Sequence, residues 1–283
     1  MTTPAFDRRT TPARPDLAAA HLRGTVEAKA FVEGERRSIV AASAPLRREP
    51  RLDCGLDTEA LRGEAVTVYE TSPEGWAWVQ LATDGYCGYL PAEALGEAEE
   101  PTHRVAALRT LVFPGPDLKL PIVGALTLGT RLAVTEIVKT YARVREGWVP
   151  IGHLRPVTEV ESDPVTVAER FLGVPYLWGG KTSLGLDCSG LVQVAHAAAG
   201  HALPRDSDLQ ERGVGHEVAQ GAPLRRGDLV FWRGHVGLMR DAETLLHANA
   251  HAMMVTSEPL DTCRQRVLAA AVHDVSAVRR LPQ

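Results

Sequence analysis

The residues most able to do chemistry in this sequence centre on Cys188, in the glycine-containing segment Gly180–Gly190. The apolar spacing beyond it predicts a helix over Leu186–Gly200, so the thiol falls in the first helical turn. There the helix dipole and unsatisfied backbone N–H groups favour the nucleophilic thiolate and can receive an oxyanion. We expect Asp187 to cap the helix and Gly190 to leave room for a substrate backbone. The alternative interpretation is a buried cysteine in an amphipathic helix.

A thiolate nucleophile needs an imidazole that takes its proton and later delivers it to the leaving amine. The best candidate is His235, because it lies between glycines in Arg233–Gly237 on an otherwise apolar strand. A polar group must then orient the imidazole. Strand alternation places three candidates on one face of the next strand, His247, Asn249 and His251. Alternation does not choose between them.

A metal site is a competing interpretation of the histidines. His247 and His251 are four residues apart, which would place both on one side of a helix. No glutamate follows His247, however, so the HExxH arrangement of zinc peptidases is absent. The surrounding residues also predict a strand. We therefore expect no metal ion and no cofactor.

The elements that must position these residues follow an acidic junction at Glu159–Pro164. A short helix is predicted over Val165–Leu172, with Leu172 on its apolar face and Pro175 ending the run. After the main helix come four β-type runs: Asp228–Trp232, His235–Met239, Thr244–Ala250 and Arg266–Val272. Helices followed by antiparallel strands predict an α+β domain over residues 159–283.

The earlier part of the chain shows short β-type runs broken by glycine, proline and aspartate. Glu64–Glu70, Trp76–Leu81 and Gly85–Leu90 predict a small all-β barrel over residues 37–100. A similar set recurs after about 60 residues, which indicates a duplicated module. We therefore expect a second barrel over residues 101–158, built from runs at Gly129–Thr135, Tyr141–Val144 and Gly147–Pro150.

Residues 1–36 are interpreted as an N-terminal extension, rich in alanine and arginine, that is partly helical. The helical candidate is Asp16–Leu22. These residues carry little that predicts chemistry.

Composition limits the class of protein. The chain has 283 residues, enough for two or three domains, and 45% are hydrophobic and 23% charged, as in ordinary globular proteins. A net charge of -4 argues against nucleic acid as a partner. No apolar stretch is long enough to cross a membrane, and Met1–Pro15 lacks the apolar core of a secretory signal, so we expect a cytoplasmic protein without a membrane partner. Cys54, Cys87 and Cys263 are expected to be buried thiols rather than disulfides.

Six segments in the C-terminal region resemble the NlpC/P60 cysteine peptidases, papain-like enzymes that cut cell-wall peptides. In order they are Pro175–Gly180, Leu186–Gly190, Leu203–Ser207 with Gln210, Gly227–Trp232, Gly234–Gly237 and Leu246–Ala248. The resemblance implies a papain-like α+β domain with Cys188 as nucleophile and His235 as general base and acid. It also implies His247 as the orienting residue, a choice that spacing alone leaves open.

The same resemblance implies residues that bind substrate. Tyr176 matches the tyrosine that lines the groove near the oxyanion site. Four further residues match positions that hold the amino end and the D-glutamyl carboxylate of the substrate: Asp187, Ser189, Asp206 and Ser207. For the last two, the alternative is a loop that caps a helix.

Both N-terminal barrels resemble bacterial SH3-like domains, the first more closely than the second. Two such modules before an NlpC/P60 domain resemble the γ-D-glutamyl-L-diamino acid endopeptidases of the dipeptidyl-peptidase VI type. This implies a muropeptide substrate, L-Ala-γ-D-Glu-diamino acid, whose free amino end is selected because the first module closes the groove. A terminal ammonium needs a carboxylate or phenol as partner. Tyr86, Asp57 and Glu59 are candidates, with the barrel core as the alternative place for Tyr86.

Three other functions compete with this hypothesis. The first is an endopeptidase or amidase acting on polymeric cell wall, with the SH3-like modules as wall anchors. The second is a binding module with a vestigial centre, which the complete set of Cys188, His235 and His247 disfavours. The third is a thiol-dependent acyltransferase acting on lipid, for which the sequence offers no exposed apolar or amphipathic segment.

Overall fold

The computed structural model describes residues 6–271 and 274–282. The chain divides into two compact units, Met1–Val157 and Thr158–Gln283. The N-terminal unit is built mainly of short strands, whereas the C-terminal unit combines helices with an antiparallel sheet. In the described residues no helix has both the length and the apolar character that a membrane span requires.

The first half of the N-terminal unit is a small β-structure. Its strands are β1 (Leu17–Ala19), β2 (Ala30–Val32), β3 (Glu35–Ile39), β4 (Ser43–Leu46), β5 (Thr58–Leu61), β6 (Ala65–Thr71), β7 (Trp76–Leu81), β8 (Cys87–Pro91) and β9 (Leu95–Gly96). Five of them form a sheet in the order β8-β7-β6-β3-β9, and β4 pairs with β5. Alternate residues of these strands enclose one apolar core, which includes Leu46, Val66 and Leu81.

The second half has a core of its own, which includes Val105, Ala142 and Val149. Its strands are β10 (His103–Val105), β11 (Arg109–Val112), β12 (Gly124–Thr127), β13 (Arg131–Leu132), β14 (Glu136–Val138), β15 (Tyr141–Val144), β16 (Gly147–Pro150) and β17 (Leu154–Pro156). They pair as β13-β10-β17, β11-β12 and β14-β15-β16.

The two halves end with the same succession of elements. In each, a hairpin ends at a proline, a 3-10 turn follows, and a short strand then pairs with an earlier strand, β9 with β3 and β17 with β10. The turns are Ala92–Ala94 after β8 and Ile151–His153 after β16. The halves meet where the buried guanidinium of Arg62 pairs with Glu146. The repeat seen in the sequence therefore corresponds to a repeated local structure.

Two sequence predictions for this unit need correction. Asp16–Leu22 is not a helix, because Leu17–Ala19 pairs with β2 as a parallel strand and Ala20–Leu22 forms a single 3-10 turn. So short a segment is marginal as a helix, and strand pairing overrides the helix propensity of alanine. In the second half, only Arg131–Leu132 of the predicted Gly129–Thr135 run is a strand.

The C-terminal unit is an α+β structure. Its helices are α1 (Pro164–Glu169), α2 (Cys188–Ala198), α3 (Ser207–Gly213) and α4 (Leu260–Ala271). Its strands are β18 (Lys181–Thr182), β19 (Gly185–Leu186), β20 (His216–Glu217), β21 (Leu229–Trp232), β22 (His235–Met239), β23 (Thr244–Asn249), β24 (Met254–Pro259) and β25 (Ala277–Arg280). Six of these form one antiparallel sheet in the order β20-β25-β21-β22-β23-β24. Helix α2 packs against β22 and β23.

Here too, two predictions fail locally. The first helix ends at Glu169, so Leu172 is exposed and the buried position is taken by Phe171. The predicted strand Arg266–Val272 lies in helix α4, except for Val272, which lies outside the described residues. The three consecutive alanines Ala269–Ala271 favour a helix, and an apolar run this short does not distinguish the two structures.

Candidate active site

The nucleophile candidate Cys188 is the first residue of α2, as the sequence predicts. Asp187 has extended backbone angles and caps the helix, since its Oδ1 accepts a hydrogen bond from the Gly190 N–H at 2.7 Å. Its Oδ2 accepts another from the Gly179 N–H at 2.8 Å. One carboxylate thus holds both the start of α2 and the loop before it, which fixes the position of the thiol.

A buried arginine completes this arrangement. Arg205 donates to both oxygens of Asp187, at 2.9 and 2.7 Å, and to Ser189 Oγ at 2.9 Å. It also donates to the Gly180 carbonyl at 3.3 Å. We call these residues the Asp187–Arg205 network. A buried carboxylate needs a partner, and the guanidinium of Arg205 supplies it inside the protein.

The role predicted for Gly190 is wrong. A Cβ at this position would lie 2.3 Å from the Gly180 carbonyl oxygen. Glycine is therefore required so that α2 can pack against the preceding loop, and the space beside it is filled by the protein's own backbone.

The Cys188 thiol is buried, and burial raises its pKa to about 12, with Asp187 acting in the same direction. The backbone N–H groups of Val236 and Ser189 face the sulfur and lower the pKa, but burial outweighs them. The expectation of a resting thiolate is therefore not supported, and the thiol must lose its proton during the reaction. Burial also raises the pKa of Cys87 to about 12, so acidity does not distinguish the two thiols. Cys188 is the nucleophile candidate because of its position at the start of α2.

All four cysteines are unbridged and buried, which confirms the prediction that Cys54, Cys87 and Cys263 are thiols rather than disulfides.

The base candidate His235 begins β22, after a two-residue turn in which Gly234 has φ +78°. Its Nε2 lies 2.8 Å from Nδ1 of His247 on β23. A Cβ at Gly237 would lie 2.8 Å from Cδ1 of Leu245 and 3.2 Å from Cβ of His247, so a glycine here lets β22 lie close to these side chains of β23. Helix α2 packs on these two strands, and the Val236 N–H that faces the Cys188 sulfur follows His235 directly. The structure thus brings the three predicted catalytic residues to one place.

The hydrogen bonds continue beyond the residues predicted from the sequence. His247 Nε2 lies 2.9 Å from Oε1 of Glu258 on β24. Arg266 on α4 donates to Glu258 Oε2 at 2.8 Å and forms a second, shorter bond to Oε1. We call the chain of His235, His247, Glu258 and Arg266 the His235–Arg266 relay.

Both imidazoles of the relay are neutral near pH 7. Burial lowers the pKa of His235 to about 3, and the neighbouring His247 acts in the same direction. Burial also lowers the pKa of His247, although Glu258 opposes the shift. Hydrogen bonds from Arg266 hold the pKa of Glu258 below its ordinary value, so its carboxylate is charged. His235 is therefore unprotonated near pH 7, which is the state in which it can accept a proton.

Three side chains next to the relay form a potential metal-binding group, since the ligand atoms of His247, Glu258 and Cys263 lie within 4.8 Å of one another. The charge that balances Glu258 there is, however, the guanidinium of Arg266. A metal ion would have to displace this cation and remove the proton from Cys263, whose pKa burial raises to about 11. The arrangement favours the arginine.

The two other candidates for the orienting residue, Asn249 and His251, lie outside the His235–Arg266 relay. Asn249 donates to Thr256 Oγ1 at 2.7 Å and accepts from the Ala252 N–H at 2.8 Å, which closes the turn after β23. His251 is exposed in that turn, beyond the end of the strand.

The residues predicted to bind substrate have different surroundings. Tyr176 is half-buried, and burial raises the pKa of its phenol, with the nearby Cys188 and Asp187 adding to the shift. Asp187 and Ser189 are buried and bonded within the Asp187–Arg205 network. Asp206 stands at the N-cap position of α3, but its side chain does not accept the capping hydrogen bond, and Ser207 begins that helix. Both are partly exposed. Their roles toward substrate stay predictions.

In the N-terminal unit, Tyr86 packs in the core of the first half, as its alternative interpretation expects. Asp57 pairs with Arg48 at 3.2 Å, and Glu59 lies on β5.

Sequence reasoning missed Arg205, Glu258 and Arg266. Arg205 lies inside Leu203–Ser207, one of the six segments that carry the family resemblance, and a charged residue in that segment was the available signal. Glu258 and Arg266 gave none, because they come from a strand and a helix whose pairing is not encoded locally.

Comparison with known proteins identifies two domains in the chain. Residues 173–272 match the NlpC/P60 family, and residues 46–95 match the bacterial dipeptidyl-peptidase SH3 domain. The chain therefore carries an SH3 domain followed by an NlpC/P60 domain, in a multidomain protein of mixed α and β structure.

Two relatives extend over most of the chain. One is the gamma-D-glutamyl-L-lysine dipeptidyl-peptidase of Bacillus cereus, 26% identical over 243 residues that cover 73% of this chain and 71% of the relative. The other is dipeptidyl-peptidase 6 of Lysinibacillus sphaericus, 27% identical over 247 residues that cover 79% and 91%.

Among solved structures, the fold is similar to that of an NlpC/P60 family protein from Bacillus cereus. The TM-score is 0.73 at 23% identity, over 88% of this chain and 100% of the other. This likeness concerns the fold.

Proposed function

We propose that this protein is a cysteine peptidase that hydrolyses the γ-D-glutamyl–diamino acid bond of peptidoglycan-derived peptides with a free N-terminal L-alanine. One observation carries the proposal: a thiol at the start of α2 faces the strand that begins with His235, and His235 is bonded to His247. A nucleophile, a base and an orienting group are the parts that acyl transfer needs.

The reaction follows from these parts. His235 takes the proton of Cys188 as the sulfur attacks the carbonyl carbon, and a tetrahedral oxyanion forms. His235 then gives that proton to the leaving amine, and the C–N bond breaks to leave a thioester on Cys188. A water molecule, deprotonated by His235, hydrolyses the thioester and restores the thiol.

The oxyanion needs hydrogen-bond donors. The Ser189 N–H in the first turn of α2 is one candidate, since it already faces the sulfur. Tyr176 is the other, because its raised pKa keeps the phenol protonated and able to donate at neutral pH. The Gly190 N–H is occupied by Asp187 and does not contribute.

The substrate is inferred from the relatives, whose names describe a γ-D-glutamyl-L-lysine dipeptidyl-peptidase activity and a dipeptidyl-peptidase. Asp206 and Ser207 are proposed to bind the amino end or the D-glutamyl carboxylate of the peptide. They are partly exposed, unlike Asp187 and Ser189, and so have surface to offer a ligand.

We further propose that the second half of the N-terminal unit is a second SH3-like barrel. It resembles the first half in two ways. It has an apolar core of its own, and it ends with the same succession of a hairpin, a 3-10 turn and a short strand.

The test is to incubate the purified protein with L-Ala-γ-D-Glu-L-Lys and to identify the products by mass spectrometry. We expect the native protein to release free lysine and the dipeptide L-Ala-D-Glu, and the Cys188→Ala variant, with unchanged circular dichroism, to release neither. Hydrolysis by the Cys188→Ala variant would contradict the thiol mechanism.

The matched substrate control is the same peptide acetylated on its amino end. We expect cleavage to stop nearly completely. If the acetylated peptide or intact cross-linked wall is cut as fast as the free peptide, the alternative of a wall endopeptidase replaces the proposed specificity.

A further inference from the structure

His247 is bonded through both ring nitrogens. Its Nδ1 lies 2.8 Å from His235 Nε2, and its Nε2 lies 2.9 Å from Glu258 Oε1. A neutral imidazole carries one proton, so one nitrogen donates and the other accepts. The choice of donor nitrogen on His247 determines where the protons lie on both histidines of the relay.

Glu258 settles this choice, because a charged carboxylate only accepts hydrogen bonds. His247 must therefore carry its proton on Nε2, and its Nδ1 accepts from His235. His235 in turn must carry its proton on Nε2. The lone pair of His235 is then on Nδ1, the nitrogen not engaged with His247, and is available to the Cys188 thiol.

Arg266 keeps Glu258 in this role. It donates to both carboxylate oxygens, and the pair is partly shielded from solvent, with Glu258 18% and Arg266 27% exposed. Without the guanidinium, the carboxylate could turn away from His247 or share a proton with it. The relay therefore ends in a fixed negative charge whose orientation is set from α4.

We propose that Glu258 and Arg266 are positioning residues that fix the proton on Nε2 of His247 and so make His235 Nδ1 the base for Cys188. This inference rests on the proposed function, but the proton positions it describes can be measured without substrate. Neither residue touches the reacting atoms.

The direct test is NMR of the full-length protein labelled with ¹⁵N-histidine, in which long-range ¹H–¹⁵N correlations distinguish the two neutral tautomers. We expect His247 and His235 both as Nε2–H in the native protein at pH 7. In Glu258→Met, which keeps the length but has no acceptor, we expect the His247 signals to show the Nδ1–H form. In Glu258→Gln, the amide oxygen still accepts, so the native tautomer should return.

Kinetics provide the second readout. Glu258→Met should lower kcat about 100-fold with KM changed less than threefold, and Glu258→Gln should recover much of the loss. The matched control is Asp274→Asn, which removes the carboxylate of an exposed ion pair made by Arg264, also on α4, at 2.6 Å. The control should retain the native kcat.

The role of Arg266 is tested by measuring the pH dependence of kcat/KM in the Arg266→Met variant. The charged groups that act on the two histidines are Glu258 from β24 and Arg266 from α4. The ligand atoms of Cys263 on α4 and of His247 lie within 4.8 Å of each other, and Cys188 begins the helix that packs on β22 and β23. Losing the guanidinium leaves Glu258 free to raise the pKa of His247, so the acid limb of kcat/KM should move to higher pH.

A native tautomer in the folded Glu258→Met variant, or equal kcat for Glu258→Met and Asp274→Asn, would overturn the inference. If the native protein cleaves no γ-D-glutamyl peptide but shows the expected tautomers, the proposed function fails while the proton arrangement stands.

Discussion

The two polar networks around Cys188 both end in an arginine, yet they differ in burial and in what they hold. In the Asp187–Arg205 network, the Arg205 side chain is fully buried and Asp187 is 10% exposed. It binds backbone groups at Gly179, Gly180 and Gly190. In the His235–Arg266 relay, the ion pair is partly exposed and its contacts are side chain to side chain.

This difference indicates that the two networks have different roles in the site. The Asp187–Arg205 network holds the backbone before and at the start of α2, and it therefore determines the position of the Cys188 sulfur. The relay fixes protons, so it decides which nitrogen of His235 is basic. A fully buried charge that loses its partner costs much free energy, whereas a partly exposed one can be solvated. Mutations in the first network should therefore appear as lost stability, and mutations in the second as lost activity.

The largest effect on stability is expected for Arg205→Met. The substitution leaves the Asp187 carboxylate buried without its partner, and breaking a buried pair costs about 3–5 kcal/mol. Urea unfolding followed by circular dichroism measures the change. The matched variant Arg266→Met should lose no more than about 1 kcal/mol, because its pair is partly solvated. Equal losses in the two variants would remove the distinction between the networks.

The next largest effect is a decrease in the free energy of unfolding at acidic pH, which we expect because His235 of the relay is buried in its neutral form. Since burial lowers the pKa of His235 from 6.5 to about 3, the unfolded chain binds its proton first as the pH falls. Stability is then full above pH 6.5 and declines from there toward pH 3. Between pH 7 and 5, His235 alone should account for about 2 kcal/mol.

Urea unfolding at pH 7 and pH 5 checks this by comparing the native protein with His235→Gln, which should show a smaller decline. The buried His196 adds its own contribution to both proteins, since burial lowers its pKa to about 4. An unchanged decline in His235→Gln would mean that burial does not make His235 resist protonation in the folded protein.

The smallest effect is expected for Ser189→Ala. Its hydroxyl donates to Asp187 at 3.2 Å and accepts from Arg205 at 2.9 Å, so its removal should cost about 1 kcal/mol of stability. Steady-state kinetics on the γ-D-glutamyl peptide should show an unchanged KM if these internal contacts are its whole role. A KM raised tenfold or more would instead support the substrate contact that the family resemblance implies.

Much of the candidate site could be predicted from the sequence because its signals are local. A capping aspartate, a cysteine and an apolar 3.6-residue period define the start of α2 within a dozen residues. Glycines on either side of His235 mark the turn and the strand. The third catalytic candidate, His247, was selected by resemblance, because alternation also admitted Asn249 and His251.

Predictions failed where neighbours in space outweigh neighbours in sequence. Leu17–Ala19 became a strand because β2 lies beside it, although its alanines favour a helix. Arg266 was expected on a strand, where its side chain would not have been linked to Glu258 eight residues earlier. Only the turn from β24 into α4 brings the two together.

The sequence alone determined the order of the parts: repeated β-type runs, then a helix that starts with a nucleophile, then strands that carry a base. These depend on residue type and period, which are properties of adjacent residues. The tertiary structure decided the pairing of Asp187 with Arg205 and of His247 with Glu258. Such bonds join separate elements, and their strength depends on burial, which arises only when helices and sheet pack together.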